Sequence, residues 1–171
     1  MKPLFNNLND VLTYNLEGLY DAEKMLQKAL PEITDHVNSS ALLDEYKKYM
    51  VSASDKRIKL KRAFGYLLAG PFGRRNMPVR EMISELTAIS KNGSSTEIKD
   101  VLLAECLLSI IQYKISACAS AVLLASVIES YSVADLLTEM VVWEKAAEQA
   151  LSKIVSKLNC TADSSVIAHL Q

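Results

Sequence analysis

An all-α fold, a bundle of four long helices with a long crossover connection and one additional short helix, is what this sequence predicts. Three observations carry that reading. Apolar residues recur at spacings of three and four along most of the 171 residues, the mark of helices that each bury one face. Sustained strand-type alternation is absent. The five glycines and four prolines gather at a few places and cut the chain into helix-length pieces.

The first helix is expected over Leu8 to Val37, with Pro31 removing an internal hydrogen bond and bending or weakening it. "NSS" then offers caps at Ser39 or Ser40 for a second helix over Ala41 to Leu68. The segment "AGPFGRRNMP" is the clearest break. After it, Asn76 caps a short helix with Pro78 in its first turn, ending near "KNG", where Gly93 suits a helix C-terminus. Ser94 and Glu97 have capping-box spacing for a fourth helix over Thr96 to Ser130. Ser132 and Asp135 repeat that spacing for a fifth, ending near Leu158. Residues 1–160 are therefore expected to form one domain and residues 161–171 a loosely held tail.

Composition excludes several functions. Net charge is −1 with both signs interspersed, so no basic footprint for nucleic acid or an anionic membrane is present. The three cysteines, Cys106, Cys118 and Cys160, are too scattered for a disulfide framework, and the N-terminus lacks the layout of a secretory signal. A cytoplasmic location is the expectation. The apolar run over residues 101–128 is interrupted by Glu105, Gln112 and Lys114 and falls short of the roughly 18 uninterrupted residues of a membrane span. It is expected instead as a helix buried on most sides, with Cys106 and Cys118 as inert core residues. Its surplus apolar residues Val101, Leu102, Leu108, Ile115 and Val122 exceed what one core covers, which points to a homodimer through this helix.

Charges stand in the core-facing seams. The first helix reads Leu12, Leu16, Leu19, Glu23, Leu26, Leu30, Ile33, Val37, with a glutamate at its middle. The fifth reads Leu137, Met140, Glu144, Ala147, Leu151, Ile154, Leu158, again with one glutamate. In the fourth helix, Leu107, Ile110, Lys114, Ala117, Ala121, Leu124 and Ile128 place a lysine in the row. The second helix reads Leu43, Tyr46, Met50, Ala53, Arg57, Leu60, Phe64, Leu67, with Asp55 facing outward. "KRIKLKR", residues 56–62, reads as a solvated cationic face. A buried lone charge is costly, so three mid-helix charges are expected to meet in the bundle centre, unless the glutamates sit at the seam margin and reach water.

The stretch "LEGLYDAEKMLQKALPEI" resembles the opening helix of the ferritin-like bacterial YciE/YciF family of stress-related proteins, and "WEKAAEQALSKI" and "QYKISACASAVLLA" resemble its later helices. The resemblance covers roughly residues 8 to 158. It implies a ferritin-like bundle with a metal site in which two helices each supply a glutamate and two others a Glu-x-x-His pair. Glu23 and Glu144 match such positions. The remaining ligands are replaced: Ser52 and Asp55 stand in the second helix, Ile111 and Lys114 in the fourth, Arg80 in the short helix, and neither His36 nor His169 matches. The reading is a non-enzymatic, stress-related bundle without cofactor, in which Lys114 supplies between Glu23 and Glu144 the positive charge that a metal supplies elsewhere. The alternative is a metal-handling protein or oxidase that holds iron or manganese with Glu23, Glu144, Glu148 and Asp55.

Overall fold

The computed structural model describes residues 5–168, with side chains described as far as residue 162. Five helices follow one another: α1 (Leu8–Thr34), α2 (Ser40–Tyr66), the short α3 (Met77–Ser90), α4 (Thr96–Val127) and α5 (Tyr131–Ala168). The four long helices form a closed ring in the order α1, α2, α5, α4, and α3 lies along α1 and α4. Two antiparallel hairpins, α1–α2 and α4–α5, are joined by the crossover that contains α3.

Local chemistry explains the ends. Asn7, Ser39 and Asn76 cap α1, α2 and α3 by accepting from the backbone N–H three residues on. α2 and α4 both close with Schellman turns: Ala69 N–H donates to the Phe64 carbonyl and Ser130 N–H to that of Ala125. The left-handed position in each turn is held by Leu68 and Glu129 rather than glycine. Asp100, one turn into α4, accepts from the backbone N–H groups of Asn38 and Ser39 at 3.0 and 2.5 Å. That buried carboxylate ties the α1–α2 turn to the start of α4.

Several boundaries differ from expectation. α4 is capped by Ser95 rather than Ser94. α5 begins at Tyr131, where Val133 and Ala134 donate to the Ser130 carbonyl, so Ser132 is inside the helix and is not its cap. α3 stops at Ser90 without a left-handed glycine, because Gly93 does not take a positive φ. α5 runs on to Ala168, past Leu158, since no glycine or proline interrupts it. Of the expected loose tail, residues 169–171 lie outside the described residues.

Two apolar clusters fill the bundle. One holds Leu26, Leu30, Ile33, Tyr46, Leu103, Leu107, Ile110 and Leu151; the other holds Leu12, Leu16, Leu60, Phe64, Ala121, Ala125, Leu137 and Met140. The seams of α1 and α5 face inward as their spacing predicts; that of α4 does so as far as Lys114, beyond which Cys118, Ala121 and Ala125 are buried while Ala117, Leu124 and Ile128 are half-buried. α2 does not follow its predicted seam: Tyr49 and Lys56 point inward, while Met50 and Arg57 are half-buried on its flank. Arg57 donates to Gln27 there. α4 is long and apolar enough to cross a membrane by length and composition, yet it packs against α1, α3 and α5 with Lys114 fully buried at its middle.

Candidate functional site

The layer between the two apolar clusters is charged. Glu23 comes from α1, Tyr49 and Lys56 from α2, Lys114 from α4 and Glu144 from α5. Glu23, Lys56, Lys114 and Glu144 are each 0% exposed. Each long helix contributes one ionised residue near its middle, because its seam carries a charge in place of a leucine there.

Lys114 Nζ lies 2.6 Å from Glu23 Oε1 and 2.6 Å from Glu144 Oε1. Lys56 Nζ reaches that same Glu144 oxygen at 2.7 Å. Tyr49 binds the centre together: its hydroxyl donates to Glu144 Oε2 at 2.8 Å and accepts from Lys114 Nζ at 2.8 Å. Both ammonium groups also face the Tyr49 ring, at 4.3 Å for Lys56 and 5.0 Å for Lys114. Two cations and two anions make a quartet with no net charge. Glu23 is its least supported member, since Lys114 is the one group in contact with its carboxylate and Oε2 receives no hydrogen bond.

Protonation follows from these contacts. Burial raises the Glu23 carboxyl pKa above its ordinary value, and the pull of Lys114 and Lys56 only partly offsets it. Burial acts the same way on Glu144, but the two ammonium groups outweigh it and its pKa falls. Desolvation works against the charge of Lys114, yet Glu144 and Glu23 hold its pKa well above that of a free lysine. Lys56 shifts down through burial and repulsion from Lys114. Burial also pushes the thiol of Cys118 up to about 12, so this cysteine is a poor nucleophile.

The structure thus brings together Glu23, Lys114 and Glu144, and leaves two other candidates outside. Asp55 is exposed on α2. Glu148 lies at the margin, where it accepts from Gln112 at 3.3 Å. Tyr49 and Lys56 are the members that the sequence reading missed. The signal was present: Leu42, Tyr46, Tyr49, Ala53, Lys56, Leu60 and Ala63 alternate spacings of four and three as regularly as the predicted row.

A divalent ion does not fit this donor set. Such an ion needs several oxygen or imidazole ligands, and among the described residues no group of three His, Cys, Asp or Glu side chains is placed to hold one. The two inward carboxylates are already neutralised by two ammonium groups, and Lys114 contacts both of them.

The fold and its centre define an all-helical bundle protein with a buried lysine–glutamate core. The chain belongs to the DUF892 family, a domain of unknown function, whose family model matches residues 7–162. Among solved structures it is similar to the E. coli stress protein YciF, with a TM-score of 0.86 and 18% identity over 90% of this chain and 98% of that one. It is also similar to YcfI from Rhodopseudomonas palustris, with a TM-score of 0.84 and 19% identity over 89% and 97% of the two chains. The search of curated proteins found no sequence match.

Removing one member of a buried network strands its partner, at a cost of about 3–5 kcal/mol. Lys114→Met is expected to lower the unfolding free energy by about that amount in urea denaturation at neutral pH. Adding Glu23→Leu should recover much of the loss, because it removes the stranded carboxylate and leaves the Lys56–Glu144 pair balanced. A cost of under about 1 kcal/mol for Lys114→Met would put this contact in the class of solvated surface pairs.

Proposed function

We propose that this protein is a non-enzymatic, ferritin-like bundle of the stress-related group, in which a lysine–glutamate quartet fills the place of a metal centre. One observation carries the reading: Lys56 and Lys114 both set their nitrogens on a single oxygen of Glu144, at 2.7 and 2.6 Å. A carboxylate bridging two cations is the arrangement of a dinuclear metal site, and here the cations belong to the chain itself. The structural likeness to the E. coli stress protein YciF supports the stress-related assignment.

The reading also includes self-association. Between Glu105 and Glu129 the only charged residue of α4 is Lys114, which is buried. The outward side of that stretch presents Leu123 and Val127, each more than two-thirds exposed, beside half-buried Leu108, Ile115 and Val122. Two copies pairing through this uncharged face meet no like-charge repulsion, and a homodimer closes the contact.

Elemental analysis by mass spectrometry tests the first part, on protein purified without chelator or metal-affinity resin from cells supplied with iron, manganese and zinc. Less than about a tenth of an equivalent of any of these metals is expected, by the ligand count above. Near-stoichiometric metal that disappears in Glu23→Ala or Glu144→Ala would overturn the reading in favour of a metal-handling protein. For the second part, light scattering at micromolar concentration should return the mass of two chains, and a monomer would remove the interface.

A further inference from the structure

A second polar feature lies outside the core network. A cleft of about 320 Å³ opens between α1, the crossover before α3 and the middle of α4. Its volume is at the lower end of the range for small-molecule sites, about 300–1,000 Å³.

Arg74 forms one wall, and the chain is shaped to hold it there. Gly73 takes a φ of +140°, which side chains with a Cβ rarely adopt, and the Arg74 N–H donates to Glu17 at 3.1 Å. The guanidinium then lies 4.1 Å from the centre of the Tyr14 ring. A Cβ on Gly18 would stand 3.2 Å from it, so the group packs closely on the α1 backbone at this glycine. Arg74 Nη1 donates to the Tyr14 carbonyl and to Asn15 Oδ1, each at 3.3 Å. Both acceptors are neutral. Among the described residues no carboxylate lies within salt-bridge distance of this guanidinium; Glu17, which accepts from the Arg74 backbone N–H, acts on it only at longer range, and most of its five donors are uncommitted.

The opposite wall is hydroxylic. Tyr113, Ser116 and Ser120 line the cleft from α4. On the same helix, Ser109 and Ser126 satisfy their hydroxyls on the carbonyls four residues back, at 3.0 and 2.9 Å. Ser116 and Ser120 make no such bond, and the Tyr113 hydroxyl has no protein partner. A fixed guanidinium in no salt bridge, with Glu17 on its backbone side, thus faces across a small cavity three hydroxyl groups that make no protein hydrogen bond, those of Ser116 and Ser120 open to water.

We propose that this cleft binds a small polyhydroxylated oxyanion, a sugar acid or a sugar phosphate, with its anionic group on Arg74 and its hydroxyls on Tyr113, Ser116 and Ser120. The planar fork of arginine suits a carboxylate or phosphate, and the α4 hydroxyls both donate and accept, as the ligand's own hydroxyls require. The proposal is independent of the core quartet.

The probes are D-gluconate and glycerol 3-phosphate, with the neutral polyol xylitol as control, titrated into the full chain by isothermal calorimetry. Saturable binding of either anion at millimolar concentration or below is expected, with xylitol at least about tenfold weaker. Stronger binding of gluconate assigns a carboxylate ligand, and stronger binding of glycerol 3-phosphate a phosphate ligand. The double variant Ser116→Val/Ser120→Val should weaken binding about tenfold or more, and so should Arg74→Lys, which keeps the charge and loses the fork. Circular dichroism melting of each variant separates lost binding from lost folding. No binding of either anion to the folded wild-type chain would overturn the proposal, as would binding unchanged in both folded variants.

Discussion

Glu144 Oε1 is the point on which the structure depends, because two ammonium groups from different helices meet on it. Charges in a protein interior are tolerated only when they are paired and their hydrogen-bonding capacity is used. Glu144 meets that condition fully: one oxygen faces Lys56 and Lys114, and the other accepts from Tyr49. Glu23 meets it only in part, through Lys114 on one oxygen. The quartet therefore has a strong half and a weak half, and Lys114 joins them.

This layer also fixes how the helices sit against each other. The apolar clusters above and below it consist largely of leucine, isoleucine and alanine, which tolerate repacking. A one-turn slip of any long helix would move its charged residue into one of those clusters and leave the opposing charges unpaired. Register is thus set by electrostatics, while most of the stabilising burial comes from the apolar layers. Asp100 and Asn76 act similarly at the periphery: Asp100 ties the α1–α2 turn to α4, and Asn76 donates to the Gly18 carbonyl and caps α3.

Much of this was legible in the sequence. In α1 and α5 the seam is flanked by residues of clearly different polarity, and in the apolar stretch of α4 between Glu105 and Glu129 Lys114 is the one charge, so Glu23, Lys114 and Glu144 stood out as intruders and their meeting could be inferred. α2 gave no such contrast. Two rows one position apart both alternate by three and four, and the row through Met50 and Arg57 looked more apolar than the one through Tyr49 and Lys56. The lysine lay in a run of cations that resembles a solvated face, and its burial follows only from the partner that another helix provides. The ends of α4 and α5 were misplaced, by one residue at the α4 cap and by ten at the end of α5, for a different reason. Neighbouring serines compete as caps, and a polar sequence without glycine or proline does not end a helix. The cleft at Arg74 was not legible, since it depends on how the crossover lies over Gly18.

The sign of each lysine shift gives the central claim its sharpest consequence. Lys114 has a folded pKa well above its ordinary value of 10.5, so it contributes stability that is present below 10.5 and is lost only as pH rises through the folded value. Lys56 is shifted the other way, and its ionisation costs stability below its lowered pKa. The most direct test is nitrogen-15 NMR of the lysine side-chain amino groups through a pH titration, with Lys56→Met and Lys114→Met used for assignment. The account predicts that Lys114 keeps the shift of a slowly exchanging ammonium past pH 10.5 while surface lysines titrate, and that Lys56 loses its proton before them. Lys114 titrating together with the surface lysines would contradict it.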